Sequence, residues 1–117
     1  MEIKNMTQGL TADEIYNMTK GSEVRKMQDA KGEVLKVEKF VLYTDVDMEG
    51  NIRDVLAIET DKGVQYATSS KTFIRNFFDI LSIFDTTGEV YGMAFSVGSA
   101  ISKSGREFLT CDRAYSV

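Results

Sequence analysis

Between Glu33 and Cys111 the spacing of apolar residues changes twice, from every second residue to helical spacing and back again. Leu35 and Val37 alternate with Lys36 and Glu38, after which the phase slips so that Phe40 and Leu42 continue the apolar side. A one-residue slip in an alternating pattern is the trace a β-bulge leaves in a sequence. It predicts one long, bent strand over 33–44 with the bulge near Glu38 and Lys39. A second strand is expected over 52–60 and a third over 64–68, divided by the turn-forming stretches Asp45 to Asn51 and Asp61 to Gly63.

From Ser69 the period lengthens. Phe73, Ile74, Phe77, Phe78, Ile80 and Leu81 share one helical face, Lys71, Arg75, Asn76 and Asp79 the other, and Ser69 or Ser70 is the expected cap. Each phenylalanine contributes roughly 1.5–3 kcal/mol when buried, so Phe73, Phe77 and Phe78 are expected to plug a curved sheet rather than to stack on bases. Arg75 and Asp79 are spaced for an i,i+4 pair. Alternation then returns over 90–101, broken by Gly92 and Gly98, and over 106–111, joined by the turn Ser102 to Gly105.

Ahead of these elements, Thr11 and Glu14 have the spacing of a capping box, opening a helix over 12–20 with Ile15 and Met18 as its apolar stripe. Lys20 suits its last turn and Gly21 is expected to supply a left-handed stop. So short a helix is marginal alone, and a dimer contact, a lid on the sheet and a hook for a partner are equal readings of it. The order strand, strand, strand, helix, strand, strand is that of a mainly β, five-stranded OB-like Greek-key barrel. The long helix falls between strands three and four, and an extra short helix stands at the N-terminus. The 117 residues suit one domain, with 1–31 as a helical extension and 32–117 as the barrel, and the absence of proline argues against a linker.

Catalytic chemistry finds little support. The chain has no histidine, its one cysteine, Cys111, lies in an apolar strand pattern, and no glycine-rich phosphate loop is present. Asp45, Asp47, Glu49 and Gly50 imitate the start of an EF-hand loop, but Leu56 stands where the closing glutamate belongs, so the stretch is read as an acidic turn. The expectation is a binding protein without cofactor or metal, not an enzyme. No apolar run exceeds four residues and no signal-peptide layout opens the chain, which points to the cytoplasm and away from membranes.

Charge is unevenly distributed. The net charge is −4, yet residues 20–44 carry six cations against four acids, and 45–61 carry six acids against Arg53 alone. An acidic chain of this kind can still present one basic groove. OB barrels take single strands on the face of strands two and three, with aromatic rings for bases and cations for phosphates. The candidates here are Lys36, Lys39 and Tyr43 on strand one, Arg53 on strand two, Tyr66 on strand three, Tyr91 on strand four, and Lys103 and Arg106 around the last turn.

The run from Gly32 to Leu81, with "YATSSKT" entering the long helix, followed by "SGREF" before the last strand, resembles the small single-stranded DNA-binding proteins of tailed phages and mobile elements of Gram-positive bacteria. The resemblance covers 32–111. It implies non-sequence-specific binding and protection of single-stranded DNA during replication, with replication proteins as candidate further partners. It also implies contact roles for Tyr66, Lys71 and Arg106. The alternative reading is a protein-binding module or inhibitor of a host protein that acts through the acidic 45–61 hairpin.

Overall fold

A computed structural model describes residues 1–86 and 93–114. These form β1 (Glu2–Met6), α1 (Ala12–Thr19), β2 (Arg25–Lys26), a 3₁₀ turn (Met27–Ala30), β3 (Val34–Val46), β4 (Ile52–Thr60), β5 (Gln65–Thr68), α2 (Lys71–Thr86), β6 (Ala94–Ile101) and β7 (Glu107–Arg113). The expected start of strand four at Val90 and the bend at Gly92 lie outside the described residues.

β3 holds the sheet together because it is long enough to have different neighbours at its two ends. Its first residues pair with β6 (Leu35 opposite Phe95), and from Val37 onward its other edge pairs with β4. The β3–β4 register shifts between Val37 and Lys39, the bulge that the phase slip predicted. The strand order is β2-β5-β4-β3-β6-β7, with β1 on the far half of β3. Among the described residues no ladder joins β7 back to β5 or β2, so the sheet is a curled half-barrel, in keeping with an OB-like arrangement but not closed by backbone pairing. The seam is filled instead. Ser70 Oγ caps α2 by accepting from Phe73 N–H at 3.3 Å and donates to the Leu109 carbonyl of β7 at 3.3 Å, while Met27 and Ala30 of the 3₁₀ turn are buried in the core.

α2 plugs the concave side as expected. Phe73 and Phe77 are fully buried, and edge-on ring contacts link Phe77 to Phe40, Phe78 and Phe95 at 5.9, 5.3 and 5.8 Å between centroids. Such edge-to-face geometry adds to the burial term because ring edges are positive and ring faces negative. Arg75 and Asp79, both exposed, form no ion pair within 4.0 Å, so the expected i,i+4 pair is absent.

Residues 1–31 are more than a helical extension. β1 adds an antiparallel strand to β3, with Ile3 opposite Tyr43 and Met6 opposite Val41, and Thr7 Oγ1 accepts from Phe40 N–H at 2.9 Å. The five-strand expectation therefore becomes seven, through β1 and the two-residue β2. α1 carries the predicted capping box: Thr11 Oγ1 accepts from Glu14 N–H, and Glu14 Oε1 accepts from Thr11 N–H, both at 3.2 Å. It docks Met18 onto the convex face of the sheet, in a second apolar cluster with Val41, Tyr43, Val55 and Ala57.

Gly21 does not supply a left-handed stop, since it is absent from the positive-φ glycines and the helix ends at Lys20 with φ −123°. Its requirement is steric. A Cβ there would clash with the Asn17 carbonyl oxygen, a backbone atom that cannot swing aside. Gly21→Ala is expected to cost about 1–3 kcal/mol through local overpacking, read by chemical denaturation. An unchanged midpoint would show that the turn relaxes freely.

Cys111 is buried on β7, and burial pushes its thiol up to about 12. Its neutral form therefore dominates through the physiological range, and a neutral thiol is a poor nucleophile. Alkylation at about pH 8 is expected to proceed only as fast as the chain unfolds. Rapid labelling of the folded protein would contradict the packing of β7.

Candidate nucleic-acid interface

Successive residues of a strand point to opposite faces, and β2 uses this to serve two grooves. Arg25 pairs in parallel register with Tyr66 and Lys26 with Ala67, so the two cations flank opposite sides of one sheet edge. On the Lys26 side a groove of about 260 Å³ is floored by Val55, Ala67 and Leu109. Its polar wall is Lys26, Gln28, Arg53, Thr68 and Ser69. Ser69 leads directly into α2, whose first residue is the exposed Lys71. Leu109 belongs to the β6–β7 hairpin, whose tip holds Lys103 and Arg106. That tip is closed by Ser102 N–H donating to the Arg106 carbonyl at 2.8 Å.

Ion pairs take up four of the lysines, while Arg25, Lys36, Lys62 and Arg75 are among the cations with no described pair. Lys4 pairs with Asp54 at 3.1 Å, Lys20 with Asp45 at 2.8 Å, Lys31 with Glu107 at 2.8 Å, and Lys39 with both Glu14 (2.7 Å) and Glu59 (3.3 Å). By contrast, Lys26, Arg53, Lys71, Lys103 and Arg106 have no described carboxylate within 4.0 Å. Arg53 stands opposite Asp45 in register without a contact pair; the Lys20 hydrogen bond chiefly lowers the Asp45 carboxyl and the Asn51 backbone N–H that of Asp47, with the Arg53 field adding a smaller share to both.

Several candidates occupy positions different from those expected. Tyr43 and Tyr66, read as exposed, are 3 % and 6 % accessible. α1 covers Tyr43, whose hydroxyl donates to the Thr19 carbonyl at 3.3 Å while Lys20 Nζ lies 5.5 Å from the ring centroid. Tyr66 packs into the main core beside α2. Lys39 is half-buried and bridges two carboxylates. Hydrogen bonds that it donates to Glu14 and then Glu59 hold its ammonium above the ordinary lysine range, and the contact with Glu14 holds that carboxyl below the usual carboxylate range. Lys36 lines a different groove from Arg53. Tyr91 lies outside the described residues. Arg53, Lys71, Lys103 and Arg106 are exposed as expected. Sequence reasoning missed Lys26, although the basic dipeptide Arg25-Lys26 between a helix and an apolar turn was a visible signal.

The acidic hairpin is also less acidic than its sequence. Asp45, Asp54 and Glu59 are occupied by Lys20, Lys4 and Lys39. Asp47 Oδ1 accepts from Glu49 and Asn51 N–H groups, each at 2.9 Å, which locks the turn around Gly50 (φ +84°). Among the described residues no cluster of three or more His, Cys, Asp or Glu is placed to hold a metal ion, and no helix is long and apolar enough to cross a membrane.

The pairs that dock α1 set a pH dependence. Lys39 lowers the Glu14 carboxyl and Lys20 lowers that of Asp45, from ordinary values of 4.5 and 3.8. A depressed folded-state value means that stability is present above the unfolded value and is lost as pH falls through the folded one. Acidification from about pH 5 to about pH 3 is expected to raise amide exchange in α1 before it does so in α2. Simultaneous loss of protection in both helices would show that the pairs do not govern docking.

No curated protein and no solved structure gives a significant match to the chain. A family model described as phage single-stranded DNA-binding protein matches residues 5–112, a span that runs from the last two residues of β1 to the penultimate residue of β7. With the match running over nearly its full length, the chain belongs to the family of phage single-stranded DNA-binding proteins.

Proposed function

We propose that the protein binds single-stranded DNA without sequence preference and protects it during phage or mobile-element replication, in the cytoplasm of the bacterial host. It acts as a binding protein rather than an enzyme. The strand would lie in the Lys26–Arg53 groove, with Lys71 at one margin and the Lys103–Arg106 hairpin tip over the other. The observation that carries this reading is that the two cations lining this groove, Lys26 and Arg53, have no described ion-pair partner, as is true of Lys71, Lys103 and Arg106 outside its lining, whereas Lys4, Lys20, Lys31 and Lys39 are matched by carboxylates. Unpaired cations along one groove are free to replace counterions on phosphates. With Tyr43 and Tyr66 covered, the affinity rests more on phosphate contact than on stacking, and the net charge of −4 opposes it. Dissociation constants near the micromolar range are therefore expected, with strong salt dependence, roughly the regime of non-specific binding.

The test is titration of a fluorescent oligothymidylate against a duplex of equal length at two salt concentrations. Salt-sensitive preference for the single strand is the expected result. Equal binding of both, or affinity indifferent to salt, would overturn the mechanism.

A further inference from the structure

On the other face of β2 lies a larger groove, about 550 Å³, under the β4–β5 turn. Arg25, Lys36 and Lys62 line it, none with a described carboxylate within 4.0 Å, and the acids of the lining are Glu33 and Asp61. Its apolar surface comes from Val34, Leu35, Val64 and the edge of Tyr66. The volume falls within the range of small-ligand pockets, and apolar walls with a few polar groups at the margin are the composition that takes a flat heterocycle beside an anion. The wall between this groove and the Lys26 groove is β2 itself, the terminal strand of the sheet. Arg25 and Lys26, consecutive in sequence, have Cα atoms about 3.8 Å apart and face opposite sides of that edge.

We propose that the Arg25–Lys36–Lys62 groove is a second nucleotide-binding segment that continues the single-strand path around the β2 edge. This rests on the single-strand reading above. The strand leaves the Lys26–Arg53 groove at β2, exchanges Lys26 for Arg25 as its phosphate partner, and sets at least one nucleotide against Val34, Leu35 and Val64. The mixed signs of the lining make this the weaker segment, so it adds affinity only for strands long enough to reach it from the first groove.

The experiment compares wild type, Arg25→Ala/Lys62→Ala and Lys26→Ala/Arg53→Ala on oligothymidylates graded from about 4 to about 16 nucleotides, the span of site sizes for one OB fold. All four side chains are exposed and have no ion pair among the described residues, and unchanged melting temperatures verify the fold. The expected result is that Arg25→Ala/Lys62→Ala matches wild type on the shortest strand and binds the longest about tenfold more weakly, with a salt slope shallower by about 1.4. Equality with wild type at every length would remove the groove from the path. An equal loss at every length would make it the primary site and overturn the proposed order. If wild type itself binds no strand, the reading beneath fails, an outcome distinct from both.

Discussion

Phe77→Ala is expected to lower stability by about 3–5 kcal/mol, the cost of deleting a buried ring and leaving the cavity behind. Phe77 is fully buried and is the only ring among Phe40, Phe77, Phe78 and Phe95 that contacts the other three edge-on in the described structure. It therefore ties β3, β6 and its own helix into one cluster, and no neighbour can fill its volume without leaving another contact. In thermal unfolding the loss corresponds to a melting temperature lower by about 10–20 °C for a chain of this size. A drop of only a few degrees would mean that α2 is not the plug of the half-barrel, because an exposed-face substitution would do as little. The substitution leaves the groove cations in place, so any folded fraction should still bind single strands.

The second large effect concerns binding without stability. Lys26→Ala/Arg53→Ala is expected to weaken single-strand affinity about tenfold at low salt and to flatten the log–log salt slope by about 1.4, the contribution of two phosphate contacts to a single strand. Both residues are exposed and neither is ion-paired among the described residues, so stability should stay within about 0.5 kcal/mol of wild type. Lys39→Ala is the matched control. Its charge bridges Glu14 and Glu59, so its loss is expected to loosen α1 and to leave the salt slope unchanged. A flattened slope with Lys39→Ala, and none with the double variant, would move the phosphate path from the groove to the α1 face.

How these residues divide between core and groove shows where the sequence was readable. The bulge beside Glu38 and the phenylalanine face of α2 were legible because each is a local periodicity imposed by one packed face. The tyrosines were not. Tyr43 alternates with inward residues as a solvent-facing position would, and it is buried only because α1, from more than twenty residues upstream, lies across the convex side. Lys39 read as a free cation for a similar reason, since its partners Glu14 and Glu59 come from distant segments. β1 left no signal because all five of its residues are exposed and its order comes from the edge of β3, not from an apolar stripe of its own. Open closure of the sheet was equally invisible, being set by how Met27, Ala30 and α2 fill the seam.

The same contrast bears on α1. Of its three open readings, a lid on the sheet is the one its docking matches, with Met18 against Val55 and Ala57 and Lys20 held by Asp45. It lies over the β3–β4 portion of the convex face and leaves the Lys26–Arg53 groove open beside it.

Photocrosslinking of an oligothymidylate carrying a reactive base, followed by peptide mapping, tests the location of the strand most directly. Adducts are predicted in the peptides that contain Lys26 and Gln28, Arg53 and Val55, Ser69 and Lys71, and Lys103 to Leu109. Adducts confined to the outer face of α2 around Arg75 and Asp79, or to the acidic turn around Met48, would contradict the groove as the binding surface.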